Sequence, residues 1–256
     1  MIVPNKFFVI GNWKTKPATL AEAAAIARKL DSGSDKITEV VLAPPALFLE
    51  TIKSNTSISC SYGIQDTYWK ESGSDNAYMS PTQAKSTGCD YAIIGHSSLR
   101  ALGETDESVN KKVKACLEHD VIPVVCVGES ERDEQGGYIS FIQDQIRASF
   151  ADLKKQDFEH VIIAYEPLWA IGSEATREAT PAEAEEVRIL IEKTIQEMTG
   201  NIPVGKITII YGGSVDSPEE LVAFASVGMR GVLVGRASLD PEKFNALAAA
   251  PSQNNL

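Results

Sequence analysis

Eight short apolar runs punctuate the chain: FFVIG (7–11), EVVLAP (39–44), SISCSYG (57–63), YAIIGH (91–96), VIPVVCVGE (121–129), VIIAYEP (161–167), ITIIYGG (207–213) and GVLVGR (231–236). They are rich in β-branched residues and largely unalternated, which is the pattern of strands covered on both faces. Between most of them lie helical segments with readable starts. TPAE (180–183) is a capping box with proline at the first helical position, and SPEE (217–220) repeats it. SPTQ (80–83) is the glutamine form, and DPEK (240–243) carries an aspartate cap followed by proline. The pattern predicts helices over 18–30, 81–88, 106–119, 139–154, 181–199, 218–226 and 241–249, with a shorter one across 45–54.

Strand then helix, eight times over, implies a parallel sheet. Eight such units in 256 residues fit a single (β/α)8 barrel domain spanning 1–256. The competing architecture is a doubly wound open sheet. That fold usually places a glycine-rich dinucleotide loop after its first strand, and GNWKTK (11–16) is not GxGxxG.

Composition narrows the function classes. The formal net charge is -11, so the chain lacks the basic face expected of a nucleic-acid binder. Any anionic ligand then needs a dedicated local positive site. The four cysteines, Cys60, Cys89, Cys116 and Cys126, form no CxxC pair, and no histidine stands at metal-ligand spacing. Reduced thiols in a cytoplasmic protein are the expected reading. The first fourteen residues hold no apolar run of signal-peptide length, and no stretch reaches 18 apolar residues, so no membrane span is expected.

In a barrel, chemistry gathers at the C-terminal ends of the strands. The first run closes on Asn12 and Lys14, the fourth on His96, the fifth on Cys126, Gly128 and Glu129, and the sixth on Glu166. The seventh closes on Gly212, Gly213 and Ser214, and the eighth on Gly235 and Arg236. The last two are glycine turns where barrels often hold phosphate on backbone N–H groups. Singly, such a lysine is usually a surface residue, and such a histidine or glutamate an ordinary packed or loop side chain. Together at one mouth they suggest proton abstraction beside a carbonyl in a small phosphorylated substrate. Glu166 would be the base, His96 the donor to the carbonyl oxygen and Lys14 a point charge.

GNWK (11–14), GHS (95–97), VCVGE (125–129), AYEPLWAIG (164–172), YGGSV (211–215) and LVG-ASL (233–239, interrupted by Arg236) occur in one order along the chain. With these motifs the sequence resembles the triosephosphate isomerase family over essentially its whole length. The resemblance implies interconversion of dihydroxyacetone phosphate and D-glyceraldehyde 3-phosphate through an enediolate, in glycolysis and gluconeogenesis. It implies Glu166 as the base, His96 as a neutral electrophile, Lys14 as the cation that binds substrate, and Asn12 as an orienting residue. Backbone N–H groups at Gly172, Ser173, Ser214, Gly235 and Arg236 would hold the phosphate, and the segment from Pro167 to about Thr176 would close as a lid. It also implies a homodimer and requires no metal and no cofactor.

Four departures from the family pattern carry expectations of their own. Ser98-Leu99 stand where the family has Glu-Arg; that glutamate is thought to contact the catalytic lysine, and a serine does not pair with an ammonium as a carboxylate does. The loop QDTYWKESGSDNAYMSP (65–81) lacks the family's Thr-Gly-Glu tip, which predicts a remodelled or weakened dimer interface. The lid AIGSEATREATP (170–181) is about two residues longer than AIGTGKTATP and carries Glu174, Arg177 and Glu178. Arg236 replaces a glycine; its side chain is expected to turn outward toward an acidic helix rather than to the phosphate. Two alternatives follow from these departures: an isomerase of a longer sugar phosphate such as a tetrulose phosphate, and a weakly active barrel retained for binding.

Overall fold

The computed structural model describes residues 6–31, 37–71, 79–133, 135–172, 175, 177–200, 202, 205–254 and 256. Eight parallel strands close into a barrel in sequence order: β1 (Phe7–Asn12), β2 (Thr38–Ala43), β3 (Ser61–Ile64), β4 (Tyr91–Ile94), β5 (Ile122–Val127), β6 (Ile162–Tyr165), β7 (Thr208–Tyr211) and β8 (Gly231–Val234). Closure is made by β1 against β8, with Phe8 opposite Gly231 and Gly11 opposite Val234. Each of the eight strands lies within or beside one of the apolar runs.

Burial on both faces explains why those runs do not alternate. Phe8, Ile10, Val41, Ile93, Val124, Ala164 and Leu233 point inward and fill the barrel. Their neighbours Phe7, Val9, Val40, Ile94, Val125 and Val232 point outward into the layer beneath the helices. A strand with two apolar neighbours, one core on each side, has no solvent face on which to place polar residues.

The helices form the outer ring: α1 (Leu20–Ala27), α2 (Leu49–Asn55), α3 (Pro81–Ser86), α4 (Ser97–Arg100), α5 (Asp106–Glu118), α6 (Gly137–Ser149), α7 (Pro181–Thr199), α8 (Pro218–Ser226) and α9 (Pro241–Gln253). Thr180 and Ser80 complete reciprocal capping boxes with Glu183 and Gln83. The box expected at SPEE is only half formed. Ser217 accepts from the Glu220 N–H, but the Glu220 carboxylate reaches one residue further back, to the N–H of Asp216 at 2.6 Å. Asp240 caps α9 by accepting from the N–H groups of Glu242 and Lys243.

Some elements differ from the sequence expectation. The helix predicted over 139–154 ends at Ser149, and the chain continues into a 3-10 turn over Lys155–His160. The one predicted over 18–30 is only Leu20–Ala27, because Thr19 rather than a residue before it provides the cap. The short helix α4, directly after β4, was not expected at all. Among the described residues no helix is long and apolar enough to cross a membrane.

Candidate active site

A cavity of about 140 Å³ opens at the C-terminal ends of the strands and is lined by Asn12, Lys14, His96, Glu166, Gly172, Ser214, Gly235 and Arg236, among others. These are all the residues to which the sequence assigned a catalytic or substrate-binding role except Ser173, which lies outside the described residues; Cys126, Gly128 and Glu129, at the end of the fifth run, do not line the cavity. The lining residues come from five different strand ends, and closure of the sheet is what brings them together.

Lys14 stands just beyond β1 in a left-handed backbone conformation, φ 54, that a lysine rarely adopts. Such strain costs on the order of 1–3 kcal/mol and must be held by its surroundings. Two side chains hold it. Asn12 Oδ1 accepts from the Lys14 N–H at 3.0 Å, and Gln65 donates from Nε2 to the Lys14 carbonyl at 2.7 Å. Asn12 therefore orients the lysine as well as lining the cavity, and Gln65 is a contributor that sequence reading missed. It lies far along the chain, at the start of the loop after β3, with nothing local to mark it.

Glu166 directly follows β6 and is only 5% exposed. The backbone around it is packed so closely that neighbouring positions must be glycine. A Cβ at Gly128 would stand 1.9 Å from the Glu166 carbonyl oxygen, and one at Gly212 would stand 2.9 Å from Glu166 Cγ. The glycines of VCVGE and YGGSV thus make room for the glutamate between the ends of β5 and β7. Its carboxylate is met by two groups from the β4 exit: His96 Nε2 at 3.3 Å from Oε1, and the Ser97 N–H donating to Oε2 at 3.2 Å.

His96 is buried, 6% exposed, and is the N-cap of α4. The Ser98 N–H donates to His96 Nδ1 at 3.2 Å. A backbone N–H can only donate, so Nδ1 carries the lone pair and the ring proton sits on Nε2, facing Glu166. Burial pushes the imidazole below its ordinary pKa of 6.5; the Lys14 charge pushes it further down, while Glu166 opposes. The ring is a neutral N–H donor near pH 7. A donor of this kind, a carboxylate and an ammonium around one small cavity suit proton transfer at a carbon beside a carbonyl.

The β4 exit is braced from outside. Arg100 donates from Nε to the Gly95 carbonyl at 2.7 Å and from Nη2 to the Cys126 carbonyl at 3.2 Å, and pairs with Asp106 at 2.6 Å. It ties the ends of β4 and β5 to the start of α5.

The start of the segment expected to close as a lid is anchored on Glu129, which is not in the cavity but buried behind it, 2% exposed. Its Oε1 accepts from Tyr165 Oη at 2.9 Å and from Trp169 Nε1 at 2.8 Å. One charged residue of the 170–181 segment is engaged here. The Arg177 guanidinium lies 4.3 Å from the centre of the Trp169 ring and binds Glu183, in the first turn of α7, through two hydrogen bonds of 2.9 and 2.5 Å. Those bonds hold the Glu183 carboxyl down at about 2. Glu174 and Thr176 lie outside the described residues.

Arg236 opens a 3-10 turn (Arg236–Leu239) directly after β8 and lines the cavity. The expected outward pairing with an acidic helix is not found: no ion pair of Arg236 occurs among the described residues. The acidic neighbour Asp216 pairs instead with Lys243, at 3.1 Å.

Comparison with known proteins agrees with this geometry. The family model described as "Triosephosphate isomerase" matches residues 7–251. The chain is 36% identical over 241 residues to the triosephosphate isomerase of Coprinopsis cinerea, covering 93% of this chain and 95% of the relative. It is 37% identical over 247 residues to that of Clostridium botulinum strain Eklund 17B, covering 95% and 98%. To that of Roseiflexus sp. strain RS-1 it is 36% identical over 241 residues, covering 91% and 93%. With a matched model over nearly its whole length and relatives of equal span, the chain belongs to the triosephosphate isomerase family.

Proposed function

We propose that Glu166, His96 and Lys14 interconvert dihydroxyacetone phosphate and D-glyceraldehyde 3-phosphate. The observation that carries this reading is the 3.3 Å approach of His96 Nε2 to the Glu166 carboxylate, with the ring proton on that nitrogen. With substrate between them, the carboxylate takes a proton from one carbon and returns it to the next. The Nε2–H meanwhile donates to the carbonyl oxygen as negative charge develops there. The Lys14 ammonium adds the positive charge that an acidic chain must supply locally to hold an anion. Asn12 keeps Lys14 in place, and the backbone N–H groups of Gly172, Ser173, Ser214, Gly235 and Arg236 are assigned to the phosphate.

A coupled assay on glyceraldehyde 3-phosphate tests this. Glu166→Gln keeps the shape and removes the base, so its kcat is expected to fall about 10²- to 10⁴-fold. A parent chain no faster than this variant sinks the proposal. The longer-sugar alternative rests on the lengthened lid and Arg236, and the rate on erythrulose phosphate decides it. A homodimer, a cytoplasmic setting and a place in glycolysis and gluconeogenesis belong to the same reading.

A further inference from the structure

The first amides of α4 are shared out with little left over. The Ser97 N–H serves Glu166, the Ser98 N–H serves His96 Nδ1, and the Leu99 N–H donates to the His96 carbonyl at 2.8 Å. A second group also reaches Nδ1: the Ser98 hydroxyl oxygen lies 2.8 Å from it, closer than the amide. The amide has already fixed Nδ1 as an acceptor, so the hydroxyl is the donor in this contact. Ser98 is exposed, whereas the ring it touches is buried.

We propose that Ser98 is a positioning residue for His96, its hydroxyl and its amide together holding the ring with the proton on Nε2. The inference rests on His96 acting as the electrophile. It assigns position 98 a task that a glutamate cannot perform, because an ionised carboxylate only accepts. Where the family glutamate is thought to contact the lysine, here the side chain at the same position serves the histidine. Asn12 and Gln65 hold the backbone of Lys14. The side chain at position 98 thus supports the imidazole.

The test uses a pair of variants of equal shape, Ser98→Thr and Ser98→Val, which differ only in the hydroxyl. The chain has three histidines, so the His96 ring nitrogens are identified in ¹⁵N-histidine spectra by their loss in His96→Gln. In Ser98→Val the Nδ1 resonance is expected to move downfield as it loses a donor, and in Ser98→Thr to stay at the parent position. The kcat of Ser98→Val should fall about fivefold, the worth of one ordinary hydrogen bond, with KM little changed, and Ser98→Thr should restore it. Equal Nδ1 shifts in the two variants, or equal kcat, overturn the proposal. Failure of the underlying reading is separate: a His96→Gln chain as fast as the parent removes the electrophile role, while the Nδ1 shift still reports the Ser98 contact.

Discussion

His96 illustrates what a single buried titratable group does to pH dependence. Its folded pKa lies below the ordinary 6.5, mainly through burial. Between those two values the unfolded chain binds more protons than the folded one, so stability is present above pH 6.5 and is lost as pH falls through the folded value. The slope for one such group is at most about 1.4 kcal/mol per pH unit. Urea unfolding of the parent and of His96→Gln, followed from pH 7.5 downward, should therefore show the parent losing ground below 6.5. Parallel curves are incompatible with a buried neutral ring. Residue-scale chemistry was only partly legible beforehand. Glu166, His96, Lys14 and Asn12 stand out because each closes an apolar run. Gln65 and Ser98 do not, because their roles are set by what lies across the mouth of the barrel or against a folded turn.

At the scale of elements, caps are local and were read directly; ties between elements are not. α5 carries Lys112 on its buried face, where its ammonium meets Asp66 at 2.6 Å and Glu104 more closely still. Burial alone would lower the ammonium, but the hydrogen bonds it donates to Asp66 and then Glu104 outweigh it and hold it above its ordinary value. This one side chain joins the helix to the loop after β3 and to the turn after α4. The second Glu104 oxygen is buried with no hydrogen-bond partner among the described residues, so the carboxylate depends on Lys112. Lys112→Met is expected to destabilise the fold by about 3–5 kcal/mol, since it leaves Glu104 buried and uncompensated. Adding Glu104→Gln should recover part of that loss. Urea midpoints at one protein concentration measure both, and a single variant as stable as the parent contradicts the dependence.

At the scale of the whole molecule, the altered loop over 65–81 bears on assembly. Residues 72–78 lie outside the described part, but the base of the loop is closed by the Tyr68 N–H and the Thr67 hydroxyl, both donating to the Met79 carbonyl at 2.9 Å. Leu47 and Leu102, each 84% exposed, stand on connections after β2 and α4 at the same rim. On the proposed homodimer, with the family's loop tip missing, sedimentation at decreasing concentration should show dissociation. A tight dimer persisting at nanomolar protein refutes the weakened interface.

The barrel and its register of chemistry were determined by the sequence itself. Strands buried on both faces must be apolar throughout, and helices must declare their starts, so eight paired signals could be counted along the line. Which residues support the proposed catalytic groups was decided only by the closed sheet. Closure sets Gln65 against Lys14, wedges Glu166 between Gly128 and Gly212, and places Glu166 against the β4 exit. It is α4, a turn too short to announce itself, that lays Ser98 against His96. Hydrophobic pattern and caps are properties of neighbours along the chain, whereas a hydrogen bond to the buried ring of His96 depends on where folding leaves two atoms.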